Sequence, residues 1–361
     1  MRQLRQADLL RFARESGAND VLGALVCDLA GVAVKVAAML NSVGGGYAGT
    51  QNVYGENQLK ADVAANELFL GLLKGHEFVG SIASEELEKE EIGGGKNRDQ
   101  AGLRGNGGSV WIVHENSDGD GFNGSFGDSG AGDVIGGKGG AVGDGHNKTV
   151  FSVAFDPLDG SSLVESNLAV GSIVGIYPGY GFLGRKGDEQ VAAMMAVYGP
   201  RLTLIVTFGK GVMEFFFDGK SGVFKSVGLL KVAGDKKIFA PGNLRACGSE
   251  EWYVRLLEFW AKNGYTLRYS GGMVPDVNQI LKKGGGIFTY PGYKEKPEGK
   301  LRLLYECAPM ALIMEQAGGA AVCGERRILD LDIKKLDQRV PIVLGSKEEV
   351  ERVSIFTRKG R

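Results

Sequence analysis

Two aspartates three residues apart, followed at once by a glycine and two serines, close an apolar run: Asp156-Pro157-Leu158-Asp159-Gly160-Ser161-Ser162. Asp156 and Asp159 offer the hard carboxylate oxygens that Mg²⁺ prefers, and a turn through Pro157 can aim the Leu158 carbonyl at the same ion. Gly160 lets the chain bend closely. Ser161 and Ser162 then open a predicted helix through Leu163, Val164 and Asn167, whose free N–H groups and hydroxyls can receive a phosphate beside the metal. The spacing predicts a cation site joined to a phosphate site. Asp-Pro and Asp-Gly are ordinary turn pairs as well, but a turn explains neither the second carboxylate nor the paired serines.

The elements that must position this stretch are legible around it. Residues 150–155 are β-branched and aromatic, which predicts a buried strand, and Pro157, lacking an N–H, predicts that the strand stops at Asp156. A strand over 78–82 delivers Ser84-Glu85-Glu86, and an apolar strand over 301–305 delivers Glu306. Five carboxylates at strand ends predict a shared pocket, although adjacent acids such as Glu88, Glu90 and Glu91 more often mark a solvated face. Helical spacing predicts helices over 18–41, 58–73, 190–198, 250–263, 274–281 and 308–317. Strands are expected over 171–177, 203–207, 212–217, 237–240, 286–290 and 340–344, with a hairpin turn at Asp218-Gly219. That alternation argues α/β layering, with a second unit beginning near residue 235.

Composition narrows the classes. A chain of 361 residues can build two sizeable cores, and 42 basic against 43 acidic residues create no global field for nucleic acid or an anionic membrane. No apolar run is read as reaching the roughly 18 residues of a spanning helix, and no signal or transit segment is recognised, which predicts a cytoplasmic enzyme with a plastid setting as the alternative. Four scattered cysteines suggest reduced thiols and no zinc spacing, and three histidines argue against a histidine-centred mechanism. Residues 93–148 contain 19 glycines in 56 positions, without a triplet or phosphate-loop pattern, and are expected to form a disordered insertion interrupted only by a strand over 110–113.

Six ordered motifs carry a resemblance that spans nearly the whole chain outside the insertion. They are Gly55-Glu56-Asn57-Gln58-Leu59 with Asp62, Ala83-Ser84-Glu85-Glu86, Asp156 to Ser162, and Pro241-Gly242-Asn243-Leu244-Arg245-Ala246. The last two are Tyr265-Thr266-Leu267-Arg268-Tyr269-Ser270-Gly271-Gly272-Met273-Val274-Pro275-Asp276 and Lys300-Leu301-Arg302-Leu303-Leu304-Tyr305-Glu306. The sequence resembles the fructose-1,6-bisphosphatase family, and most closely its sedoheptulose-1,7-bisphosphatase branch.

The resemblance implies a layered αβαβα sugar-phosphatase fold, two sheets sandwiched by helices, in halves spanning 1–234 and 235–361. It implies two or more Mg²⁺ ions, with Mn²⁺ as a substitute, held by Glu85, Glu86, Asp156, the Leu158 carbonyl, Asp159 and Glu306. Asp62 and Glu86 would orient the attacking water. Asp159, Gly160, Ser161 and Ser162 would meet the reacting phosphate end, and Asn243, Arg268, Tyr269, Met273, Tyr290 and Lys300 the sugar and far phosphate. The arginine at the Arg268 position reaches in from a neighbouring subunit in the family, which implies a homodimer or homotetramer.

The activity implied is removal of the 1-phosphate of sedoheptulose 1,7-bisphosphate, with fructose 1,6-bisphosphate as the alternative substrate. Leu244-Arg245-Ala246, where fructose enzymes have Glu-Gly-Tyr, favours the former. Glu56 stands where an aspartate is usual, and neither the AMP-binding turn nor the plastid Cys-Gly-Gly-Thr-Ala-Cys switch is seen. A silent sugar-phosphate sensor is the alternative of another class, and retention of all five carboxylates argues against it.

Overall fold

The computed structural model describes residues 6–42, 46–51, 57–95, 149–234 and 236–359. Glu56, the strand expected over 110–113 and nearly all of the glycine-rich stretch lie outside the described residues. The first three glycines of that stretch belong to the folded unit instead. The Gly95 N–H donates to the Val79 carbonyl at 2.8 Å, and a Cβ on Gly93 would meet that oxygen at 2.1 Å.

The N-terminal part begins with α1 (Ala7–Glu15), α2 (Asp20–Leu40), the short pair β1 (Tyr47–Gln51) and β2 (Asn57–Leu59), and α3 (Lys60–Leu73). It continues through β3 (Val79–Ser84), β4 (Glu91–Ile92), β5 (Phe151–Asp159), β6 (Val170–Pro178), β7 (Ala192–Tyr198), β8 (Leu202–Thr207), β9 (Val212–Asp218) and β10 (Val223–Leu230). The C-terminal part runs β11 (Ile238–Pro241), α4 (Glu251–Lys262), β12 (Thr266–Leu267), α5 (Met273–Lys283), β13 (Ile287–Tyr290) and α6 (Ala308–Gln316). It closes with β14 (Ala320–Cys323), β15 (Arg326–Arg327), β16 (Ile342–Gly345) and α7 (Lys347–Lys359).

The layers run helix, sheet, helix, sheet, helix. The larger sheet has the order β10-β9-β8-β7-β6-β5-β3-β4 and the smaller β12-β11-β13-β16-β14-β15. Helices α1 to α3 cover one face of the larger sheet through Phe12, Leu25 and Phe69, with the Phe69 ring stacked 4.9 Å from that of Phe155 on β5. Helices α5 and α6 fill the space between the sheets with Ile280 and Ile313 against Met195 and Leu344. Helices α4 and α7 close the far face around Trp260, Tyr253 and Val350.

Helix α2 corrects one expectation, because its 21 residues are long and apolar enough to cross a membrane by length and composition alone. Its apolar side, including Leu22, Leu25, Leu29, Val32 and Val36, is the face buried in the first core, so packing accounts for its composition.

Four further differences have physical causes. Strand β5 does not stop at Asp156 but runs through Pro157 to Asp159, with an irregularity between Asp156 and Asp159 in its pairing to β6. Pro157 removes one ladder donor, yet its carbonyl still receives the Ser172 hydroxyl at 2.7 Å. Ser161–Leu163 is a single 3₁₀ turn and not the start of a longer helix. The helix expected over 190–198 is strand β7, whose seven residues are all buried. Both faces are covered, so no polar alternation betrays the strand, and its Ala and Met content reads as helical. The strand expected over 301–305 is a π-helical turn, Leu303–Cys307, in which the Cys307 N–H reaches the Arg302 carbonyl at 3.0 Å. Pro309 follows and has no N–H to offer the Tyr305 carbonyl, which favours the wide turn.

The start of α5 packs directly on β6. A Cβ on Gly171 would lie 2.2 Å from Val274 Cγ1 and 2.5 Å from the Ala196 carbonyl oxygen. Gly171→Ala is therefore expected to lower stability by about 1–3 kcal/mol through overpacking. Denaturant unfolding measures it, and an unchanged midpoint would mean that this contact is looser than described.

Candidate active site

β3 and β5 are parallel neighbours, with Ser84 opposite Phe155, and the Glu85 N–H donates to the Phe155 carbonyl at 3.1 Å. That register sets Glu85 beside Asp156. The π turn brings Glu306 to the same place, and one carboxylate oxygen from each of Glu85, Asp156 and Glu306 lies within 4.8 Å of the others. Asp156 Oδ1 accepts from the Leu158 N–H at 2.9 Å, within the irregular end of β5.

Clustering these acids out of water has a cost. Burial first, then the neighbouring Asp159 and Glu306 charges, raise the Asp156 pKa well above the usual range. Burial pushes Glu306 up to about 7 against the opposing pull of Arg302. Asp62, in the first turn of α3, is lifted by burial as well, while the Leu59 N–H and the Ser161 hydroxyl draw it back. The Leu59 N–H donates to Asp62 Oδ2 at 3.0 Å.

These groups line one cavity of about 360 Å³ together with Glu86, Leu158, Asp159, Gly160, Ser161, Ser162, Tyr269, Met273, Tyr290 and Lys300. Fourteen of the sixteen site residues expected from the sequence thus meet in one place. Gly160 adopts the left-handed conformation, φ 76°, that a tight bend requires. Asn243 and Arg268 do not line the cavity. Asn243 also adopts φ 53°, unusual without a glycine, and its side-chain N–H₂ donates to the Pro291 carbonyl at 2.6 Å.

Asp159 stands apart from the three-carboxylate cluster. Its two oxygens accept the first N–H groups of α5, Met273 at 3.2 Å and Val274 at 2.6 Å. Burial lifts its pKa to about 6 even so.

Arg302 was missed as a site residue although it sits inside a quoted motif. It is 1% exposed, its guanidinium meets Glu85, and its N–H donates to Glu306 Oε2 at 2.6 Å. The available signal was a charged residue embedded in an apolar run, which is rarely buried without a partner. The cavity wall therefore holds six carboxylates against two cations, Lys300 and Arg302. An anion would be repelled from such a site unless further positive charge entered with it, and three converging carboxylates suit a divalent cation. The arrangement fits cation-assisted hydrolysis of a phosphate ester.

Comparison with known proteins agrees. The domain family described as fructose-1-6-bisphosphatase, N-terminal domain, matches residues 140–228, and the corresponding C-terminal domain matches residues 232–358. A Pelobacter propionicus protein named fructose-1,6-bisphosphatase class 1 is 38% identical over 97% of this chain and 93% of its own length. A chloroplastic sedoheptulose-1,7-bisphosphatase from Spinacia oleracea is 45% identical over 56% of this chain and 52% of its own length. The crystal structure of Leishmania major fructose-1,6-bisphosphatase in holo form superposes with a TM-score of 0.77 at 29% identity, covering 97% of this chain and 98% of the other. The chain belongs to the fructose-1,6-bisphosphatase family and is a sugar bisphosphatase.

Proposed function

We propose that this enzyme removes the 1-phosphate of fructose 1,6-bisphosphate, using Mg²⁺ held by Glu85, Asp156 and Glu306 with help from Glu86, the Leu158 carbonyl and Asp159. The observation that carries the reading is the convergence of three carboxylates beside the Ser161–Leu163 turn in one cavity. When bound, Mg²⁺ would neutralise phosphoryl charge and acidify water, and Mn²⁺ would serve with its similar oxygen preference. Asp62 and Glu86 accept the proton of the attacking water and fix its direction. The N–H groups and hydroxyls of Ser161 and Ser162 hold the reacting phosphate at the 3₁₀ turn. Lys300 supplies charge to the far phosphate, while Tyr269, Tyr290 and Met273 shape the sugar site.

The substrate choice reverses the sequence expectation, since relatives matching almost the whole chain carry the fructose enzyme's name. Sedoheptulose 1,7-bisphosphate remains a second reading for a specific reason. The sedoheptulose relative is the more identical over its shorter match, and the turn after Asn243 is Leu244-Arg245, with Leu244 exposed. Comparing kcat/KM for the two sugars decides between them. A higher value for the fructose substrate is expected, and a tenfold preference for the seven-carbon sugar would overturn it. Phosphate release that survives EDTA would overturn the cation requirement.

Arg268 lies outside the cavity of its own chain, and Leu267 and Leu244 are more than half exposed. We infer that this surface meets a neighbouring copy, so that Arg268 serves the partner's site in a homodimer or homotetramer, to be checked by light scattering. All four cysteines are free thiols, which suits the cytoplasm.

A further inference from the structure

Helix α5 begins between two aspartates. Asp159 accepts its first two N–H groups from one side. Asp276, in its own first turn, reaches back and accepts the Ser270 N–H at 2.8 Å through Oδ1. Asp276 is 1% exposed, and its Oδ2 is buried without a hydrogen-bond partner among the described residues. A buried carboxylate with one unsatisfied oxygen is costly, and an apolar side chain would fill the same space at less expense. The feature that it secures is the segment Tyr269-Ser270-Gly271-Gly272.

That segment also leans on the loop of the reacting phosphate. A Cβ on Gly160 would come within 3.2 Å of Gly272 Cα, and a Cβ on Gly271 or Gly272 would come within 3.3 Å of a Leu163 methyl. The Ser270 hydroxyl bridges the turn further, accepting the Gly272 N–H at 3.3 Å. Asp159, Gly160 and Leu163 on one loop, and Gly271, Gly272 and the start of α5 on the other, form one packed unit, and Asp276 ties its outer end at Ser270.

We propose that Asp276 is a positioning residue for the sugar end of the substrate: it holds the 269–272 segment against the phosphate loop so that Tyr269 and Met273 meet the sugar at a fixed distance from the scissile phosphate. The inference rests on the reading above that these two residues face the sugar. Asp276 touches neither the substrate nor the three-carboxylate cluster. Its loss should weaken recognition of a bisphosphate and leave hydrolysis of a small phosphate ester, which needs no sugar contacts, as it was.

The test compares wild type, Asp276→Ala and Asp276→Asn, as full chains with Mg²⁺, on fructose 1,6-bisphosphate and on p-nitrophenyl phosphate. Asp276→Ala is expected to raise KM for the bisphosphate about tenfold, the scale of one lost charged hydrogen bond, with kcat changed by less than about threefold. Its kcat/KM for the aryl phosphate should stay within about twofold. Asp276→Asn keeps an acceptor for the Ser270 N–H and should recover most of the KM. Equal losses on both substrates, or an unchanged bisphosphate KM, would overturn the proposal. Hydrogen exchange gives a second arm that is independent of which sugar is the substrate. Residues 268–272 should exchange faster in Asp276→Ala while residues 151–156 do not, and uniform or absent acceleration would count against a positioning role. Wild-type inactivity on both sugars would instead defeat the functional reading, and the exchange arm would still decide the role of Asp276.

Discussion

Asp156→Asn is expected to lower kcat on the order of 10²–10³-fold while making the cation-free protein melt at a higher temperature. The two effects share one cause. Asp156 is buried, and burial together with the Asp159 and Glu306 charges opposes its ionisation. Removing a carboxylate from a cluster whose oxygens lie within 4.8 Å relieves repulsion in the folded state. On the proposed function the same removal would also take away a cation ligand and preorganised charge, for which losses of about 10²–10³ are typical. Phosphate release and a thermal melt in EDTA measure the pair. A variant that loses activity and also melts lower without cations would mean that Asp156 is chiefly a structural residue.

The pH dependence of stability follows from the same groups. Asp159 is pushed up to about 6 and Glu306 up to about 7, above unfolded values near 3.8 and 4.5. Between these limits the unfolded chain has released protons that the folded chain still holds, so the folded state binds more protons and stability falls as pH rises. Cation-free protein should therefore lose stability from about pH 4 to pH 7, whereas saturating Mg²⁺ should flatten that decline. Mg²⁺ held by these carboxylates as proposed would displace the protons, so binding near pH 6 should release more of them than binding at pH 8.

Much of the site was legible because its signals are local. Two aspartates, a glycine and two serines in seven residues impose a bend and a pair of donors wherever they stand, and Gly160 takes the left-handed conformation that the bend needs. The layering followed from alternation of elements. Where the reading failed, the cause was tertiary. β7 lies in the middle of a sheet covered on both faces, so its pattern carries no period. The π turn depends on Glu306 accepting the Arg302 N–H and on Pro309 beyond it, relations that an apolar run does not advertise. The attachment of Asp159 to α5 joins residues more than a hundred positions apart. No window of sequence contains that contact.

Arg302→Met should expose the balance of charge most directly. The guanidinium is almost wholly buried, meets Glu85, and lies on a cavity wall where carboxylates outnumber cations six to two. Removing one partner of a buried ion pair leaves the other charge uncompensated, at a cost of about 3–5 kcal/mol. The cation-free variant should therefore unfold far more easily than wild type. Methionine nearly matches the arginine stem in volume, so packing loss is small and the deficit is electrostatic. Mg²⁺ bound as proposed would supply the missing positive charge beside Glu85 and Glu306 in the folded state, so it should recover most of the difference. Unfolding with and without Mg²⁺ decides the point. A deficit that stays the same in both conditions would show that Arg302 acts through packing alone, whereas recovery by Mg²⁺ would identify the arginine as the charge that keeps the carboxylate cluster together between rounds of cation binding.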